Sequence, residues 1–284
     1  MILLNEHDIR RHLIGSDIEN SVTLHIFNSI DSTNRYLNDL PVSTPLQNSK
    51  FLTQKAELVV QNNTDVCCAE EQTHGCGRFG REWFSPFAEN VYCSSRWSLG
   101  YEISKLATLS LVTSLAVMTT LQTMGISDDI AIKWPNDLLW RGKKLCGILV
   151  ELSYDRNGEI NAIIGIGLNV NSASQSVTIQ SQLDRPWCSL FEITGHHLDR
   201  NILVAQLMIQ LSEYIGKLMG VGFTELMPLW KQWDYLDGQQ IMVSHTSGTI
   251  CGVARGVNNI GQLILVDERA MTRYLSSGET SLRI

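Results

Sequence analysis

Apolar and polar positions change their spacing several times along this chain, and each change marks an element. Residues 1–15 read as a short helix, with Asn5 placed to cap its start and Gly15 to stop it. Val22–Phe27 alternates like a strand, and Ile30-Asp31-Ser32-Thr33-Asn34 is a cap-rich turn that starts a helix through Leu40. Pro41–Lys50 is polar and reads as a loop. Leu58-Val59-Val60 and Val66-Cys67-Cys68-Ala69 are short runs of buried-strand type, and Asn90–Trp97 is another strand. A long apolar helix runs from Leu106 to Met124 and is ended by Gly125. Ile130–Trp134, Leu145–Leu152 and Ile160–Leu168 are strand-like, with the hairpin signal Asn157-Gly158 between the last two. Amphipathic helices follow at Asn201–Met219 and Phe223–Tyr235. Beyond them only short strands separated by glycine-rich turns remain: Gln240–His245, Gly248–Val257 and Gln262–Val266. That change divides the chain into a larger part, 1–235, and a small β-barrel of SH3 type, 236–284, which is short enough to need the larger part for support.

Composition narrows the function classes. The chain has 284 residues, enough for a sizeable core, and a net charge of −7, which argues against a nucleic-acid binder. A local basic pocket is still compatible with that total. Seven cysteines occur without a Cys-x-x-Cys spacing, so they read as free thiols of a cytoplasmic protein rather than a zinc site. Met1-Ile2-Leu3-Leu4 turns polar at Asn5, which is not a signal peptide, and no stretch approaches the ~20 apolar residues of a membrane span.

Two stretches carry the strongest chemistry. Gln72 to Pro86 is a glycine-rich loop between apolar strands, with Gly75, Gly77 and Gly80, the arginines Arg78 and Arg81, and Trp83. Glycines let backbone N–H groups approach an anion, and guanidinium forks bind it. Taken alone, such a loop is as readily a solvated hairpin. Lys133-Trp134-Pro135-Asn136-Asp137 puts a lysine at the end of a buried strand, where it is costly without an anion, and then turns. Asn136 and Asp137 offer oxygens to Mg²⁺ or partners to a nucleotide. Lys144, in Arg141-Gly142-Lys143-Lys144, could point at the same site, or could mark a basic hairpin tip. Asn169, at the end of Gly165-Ile166-Gly167-Leu168, could read an adenine edge or cap a turn. His25, His196, His197 and His245 show no pairing that suggests a metal, and Ser32 and Ser85 lack a nucleophile-elbow context.

In their order and wording, Ile30–Asn34, Gln72–Pro86, Lys133–Asp137, Lys144-Leu145-Cys146-Gly147-Ile148-Leu149-Val150-Glu151 and Gly165–Asn171 resemble a bacterial biotin–protein ligase. The stretch from Gly252–Val257 to Gly278–Arg283 resembles that family's small barrel, so the resemblance spans nearly the whole chain. It implies an α+β fold, with a central mixed sheet flanked by helices and an SH3-like barrel behind it. It implies activation of biotin by MgATP to biotinyl-5′-AMP, followed by transfer to a lysine of a carrier such as the biotin carboxyl carrier of acetyl-CoA carboxylase. By the same resemblance, Ser32, Thr33, Asn34, Gln72, Cys76, Gly77, Arg78 and Lys144 bind biotin, and Arg78, Arg81, Trp83, Lys133, Asn136, Asn169 and Lys144 bind ATP. Arg78, Lys133 and Lys144 carry the catalysis, and Asp137 is the candidate Mg²⁺ ligand.

This sequence departs from the family pattern where Cys76 replaces the first loop arginine and Phe79 a residue that is often basic. About 30 residues precede Ile30, too few for the helix-turn-helix of repressor-type members, so the expected form is ligase only, without DNA binding. Pairing into a homodimer through the sheets stays open. A lipoate–protein ligase shares the reaction logic and is the nearest rival, with a biotin-responsive repressor further off.

Overall fold

The computed structural model describes residues 2–41, 64–99, 103–154, 158–173, 186–245, 248–277 and 280–283. Seven strands form one mixed sheet: β1 Val22–Phe27, β2 Thr64–Ala69, β3 Val91–Ser98, β4 Ile130–Lys133, β5 Asp137–Trp140, β6 Lys143–Tyr154 and β7 Ile160–Leu168. Their order is β1-β2-β3-β7-β6-β5-β4; β1 and β2 run parallel and the other neighbours antiparallel.

The helices are α1 Glu6–Leu13, α2 Thr33–Asp39, α3 Ile103–Leu106, α4 Leu109–Thr123, α5 Leu190–Thr194, α6 Arg200–Val221 and α7 Met227–Trp233. Side chains alternate between the faces of a strand, so β7 sends Ile160, Ala162, Ile164 and Ile166 into the core shared with α4 and α6. Its alternate residue Ile163 joins Cys67 and Leu37 in a separate cluster under α2, while Gly165 and Gly167 on that same face carry no side chain and line a cleft. By length and hydropathy α6 resembles a membrane span, yet Leu203, Leu207, Leu211 and Ile215 are fully buried in the core.

Arg96, on β3, fixes α2 to the sheet. Its guanidinium donates to the carbonyls of Leu37 (3.1 Å), Leu40 (2.6 Å) and Pro41 (3.2 Å) and pairs with Asp65. A cation at a helix C-terminus also meets the negative end of the helix dipole.

A second, antiparallel sheet has the order β11-β10-β9-β8-β12, from β8 Gln240–His245, β9 Gly248–Val257, β10 Leu263–Asp267, β11 Thr272–Leu275 and β12 Thr280–Arg283. Its Ile241, Val243, Leu263 and Leu265 extend the main core, and Trp134 Nε1 donates to the Gly261 carbonyl at 3.0 Å.

Several elements differ from the sequence reading. The helix expected from Leu106 divides at Ala107-Thr108 into α3 and α4. Asp137 begins β5 directly after a tight turn containing the cis Trp134–Pro135 peptide, whereas the sequence reads as turn there. Helix α5, with its Ser189–Glu192 capping box, and strands β11 and β12 were not expected. Leu58–Val60, most of Pro41–Lys50, and Asn157 lie outside the described residues.

Candidate active site

The glycine-rich loop leaves β2 and returns to β3 over the open face of the sheet. Its base is closed where Ala88 N–H donates to the Glu70 carbonyl at 2.9 Å. Arg200, 1 % exposed at the start of α6, holds both stems: Nη1 lies 2.6 Å from Glu70 Oε2 and 3.2 Å from the Asn90 carbonyl. Its Nη2 donates to the Ile2 carbonyl, and Leu4 N–H donates to Glu70 Oε1, so the N-terminal segment is tied into the same junction. A buried pair this fully hydrogen-bonded meets the condition under which such pairs are tolerated.

Within the loop, Trp83 N–H donates to the Gly75 carbonyl at 2.8 Å and Gly77 N–H to the Arg81 carbonyl at 2.7 Å. A side chain at Gly75 would meet the Trp83 carbonyl at 2.5 Å, so this close approach requires glycine. Phe79 sits at the tip with φ 59° and an exposed ring, flanked by the guanidinium carbons of Arg78 at 4.9 Å and Arg81 at 6.0 Å.

Rows of residues across β3, β7 and β6 make the floor. Register aligns Tyr92 with Gly167 and Gly147, then Ser94 with Gly165 and Leu149, then Arg96 with Ile163 and Glu151. The Trp83 indole lies over the facing glycines: a Cβ on Gly147 would approach it to 2.8 Å, and one on Gly167 to 2.4 Å. Its Nε1 is buried and has no hydrogen-bond partner among the described residues. Gly165 leaves room for Asn34 in the same way.

A polar chain crosses this floor. Asn34 Nδ2 donates to Glu151 Oε2 at 2.7 Å, and Ser94 Oγ donates to Asn34 Oδ1 at 2.5 Å. Thr33 Oγ1 contacts Ser94 Oγ at 2.7 Å, Thr33 N–H donates to Gln72 Oε1 at 2.9 Å, and Gln72 Nε2 donates to Ser85 Oγ at 3.1 Å.

Charge gathers at the other end. Arg78, Arg81, Lys133 and Lys144 line the cleft against two carboxylates, Glu82 and Asp137, making it locally cationic on an acidic protein. Lys144 Nζ lies 2.8 Å from Asp137 Oδ1 and 5.3 Å from the Trp83 ring centre. That carboxylate oxygen is buried and accepts no well-oriented hydrogen bond, so the contact with Lys144 is Coulombic. Arg78 donates to Asn136 Oδ1 at 3.3 Å and to the Ser277 carbonyl, latching the loop onto both the β4–β5 turn and the second sheet. Burial lowers its pKa from the usual guanidinium range, which starts high enough to leave it charged. Asn136 is itself pinned through Nδ2 to the Ile148 carbonyl at 2.7 Å.

The structure thus brings Ser32, Thr33, Asn34, Gln72, Cys76, Gly77, Arg78, Arg81, Trp83, Lys133, Asn136, Asp137 and Lys144 into one cleft. Asn169 is not among the lining residues. Its amide donates to the backbone carbonyls of Cys188 (3.0 Å) and Lys144 (3.4 Å), so it braces the strand that carries Lys144. Sequence reasoning missed Tyr92, Ser94 and the glycine floor. The available signal was Gly165 and Gly167 at alternate positions of an otherwise apolar strand, the mark of a close approach from one side.

Comparison with known proteins agrees with this geometry. The profile of the biotin/lipoate A/B protein ligase family matches residues 26–171. The chain is 32% identical over 281 residues to the bifunctional ligase/repressor BirA of Escherichia coli (strain K12), covering 99% of this chain and 78% of that protein. It is 30% identical over 198 residues to the biotin–[acetyl-CoA-carboxylase] ligase of Paracoccus denitrificans, covering 69% and 82% respectively. Its fold matches the biotin protein ligase from Aquifex aeolicus solved in complex with biotin and ATP, with a TM-score of 0.71, 28% identity, and 92% and 98% coverage. The chain belongs to the biotin/lipoate A/B protein ligase family.

Proposed function

We infer that this chain is a biotin–protein ligase: it activates biotin with ATP to biotinyl-5′-AMP and transfers the biotinyl group to a lysine of a biotin carboxyl carrier. The observation that carries this reading is the convergence of Arg78, Lys133 and Lys144 beside a polar floor roofed by one glycine-rich loop. The named relatives and the biotin- and ATP-bound neighbour support it.

The physical obstacle is repulsion between the biotin carboxylate and the triphosphate. Four cations in a half-enclosed cleft offset it. A carboxylate oxygen forms a bond to the α-phosphorus as the bond to the β-phosphate oxygen breaks, and pyrophosphate leaves. Arg78, Lys133 and Lys144 stabilise the charge on the transferring phosphoryl group. In the second step the carrier's lysine amine attacks the anhydride carbonyl carbon, the amide forms and AMP departs. Positioning suffices for that step, and the loop keeps water from the anhydride meanwhile.

Mg²⁺ fits the donors present. Asp137 Oδ1 is a hard, buried oxygen without a hydrogen bond, and Mg²⁺ commonly takes a single carboxylate together with substrate phosphates and waters. Asp137 would hold the ion, which would supply further neutralisation of phosphate charge, and Lys144 would exchange its contact there for an anionic substrate. Asn169 is left a supporting rather than a nucleotide-contacting role.

Mass spectrometry of a carrier domain incubated with this protein, biotin and MgATP should show the mass gain of one biotinyl group at one lysine. A carrier that gains lipoyl but never biotinyl groups would overturn the reading.

A further inference from the structure

The cations that gather two anionic substrates, Arg78, Arg81, Lys133 and Lys144, set the second half of the reaction the opposite problem. The acceptor is a lysine, and in water its side chain arrives as an ammonium. A cleft dominated by positive charge repels it. Among the described residues two carboxylates line the cleft, and they differ in what they already hold. Asp137 Oδ1 is buried and has Lys144 Nζ 2.8 Å away. Glu82 is exposed on the glycine-rich loop and enters no ion pair and no side-chain hydrogen bond among the described residues. Its neighbour Trp83 turns down over the glycine floor, whereas Glu82, bridged through its backbone to the exposed Cys76, stays at the rim.

We propose that Glu82 receives the ammonium of the carrier's lysine at the rim of the cleft. The loop that closes over the anions would then also draw in the cation from outside. This rests on the ligase reading and adds to it the residue that meets the second substrate.

The step on which Glu82 acts follows from protonation chemistry. A carboxylate beside an ammonium favours its charged form, whereas the attacking amine must be neutral. Glu82 therefore contributes to capture of the carrier, and the lysine loses its proton to solvent as it moves on to the anhydride carbonyl. A charge at the rim of an interface acts mainly through association rate and salt dependence. An exposed ion pair is worth up to ~5-fold in an equilibrium constant, and reversing the charge adds repulsion to that loss.

The test is steady-state labelling of a carrier domain at saturating biotin and MgATP, with the carrier varied, for wild type, Glu82→Asp, Glu82→Gln and Glu82→Lys. The carrier KM should rise ~3- to 5-fold in Glu82→Gln and ~10-fold or more in Glu82→Lys, stay within ~2-fold in Glu82→Asp, and leave kcat within ~2-fold throughout. Added salt should narrow the gap between wild type and Glu82→Gln. Hydroxylamine, an uncharged nucleophile at neutral pH, should discharge preformed adenylate equally fast in all four, and the burst of pyrophosphate release without carrier should not slow. Should Glu82→Gln and Glu82→Lys leave the carrier KM within ~2-fold of wild type, or should hydroxylamine discharge slow as much as carrier labelling, the role of Glu82 is overturned and the ligase reading stands. Wild-type protein that labels no carrier with biotin overturns both.

Discussion

Replacing Gly167 by alanine adds a single methyl group to the middle of the sheet and should act almost entirely on the loop above. The new Cβ would lie 2.4 Å from the Trp83 ring, and ordinary contact begins near 3.4 Å, so about 1 Å must be found. Strand β7 cannot supply it, because it is paired along its length with β3 and β6. Trp83 can yield more readily, since it sits in the loop, where its N–H donates to the Gly75 carbonyl and its own carbonyl accepts from Ser85 Oγ. Strain of this kind costs about 1–3 kcal/mol in a closed core, and the lower end applies where a loop can move. A displacement of about 1 Å in a positioning group can cost up to about 10²-fold in rate. The expected result is a melting temperature within a few degrees of wild type, with adenylate escaping roughly 10- to 100-fold faster, measured by trapping free biotinyl-5′-AMP in a single turnover. Wild-type retention in Gly167→Ala would refute the claim that the indole rests on a glycine floor. The companion variant Gly165→Ala should instead lose stability, because its Cβ would meet Asn34 Oδ1 at 2.2 Å and Asn34 is buried and hydrogen-bonded at both ends.

Three further outcomes follow from the geometry. Arg78→Ala removes the link to Asn136 and Ser277 as well as a cation, and should lower the rate of adenylate formation by about 10²-fold in a pyrophosphate-release assay; an unchanged rate would remove Arg78 from the reaction. Arg200→Met leaves Glu70 charged and buried, so urea unfolding should show a loss of about 3–5 kcal/mol, much of it recovered when Glu70→Leu is added; a double variant no more stable than the single would contradict this. Burial raises the Asp234 carboxyl above its ordinary value, so this group's contribution to stability is greatest below about pH 4 and is lost as pH rises through the raised pKa. Asp234→Asn should therefore gain melting temperature relative to wild type at pH 7 and show little or no gain at pH 3; the opposite trend would reverse the assigned sign.

The parts of the site legible in the sequence are those made by local turns. Ser32–Asn34, the loop around Arg78 and the Lys133–Asp137 turn each concentrate glycine, proline or capping residues in a few positions, and the turn itself aims the side chains. The floor was not legible, because whether Ser94 or Cys93 faces the cleft depends on how β3, β7 and β6 align. Both faces of β3 are buried, so its composition carries no alternation to read. The packing of Asn169 was hidden for a related reason: its acceptors at Lys144 and Cys188 come from a pairing of Lys144 with Trp187 across more than 40 residues. In the fold, the strand count of the second sheet fell short because β11 is largely exposed and lacks an apolar period.

The latch from Arg78 to the Ser277 carbonyl, together with Trp134 reaching Gly261, bears on attempts to make a smaller catalyst from this chain. Trimming after Leu236 would strip an acceptor from the Arg78 guanidinium and uncover the Trp134 indole, whose donor is satisfied from the discarded part. Among the described residues none of the C-terminal sheet lines the cleft, yet it braces the loop that covers it, and a shortened protein would be expected to leak its activated acid into solvent.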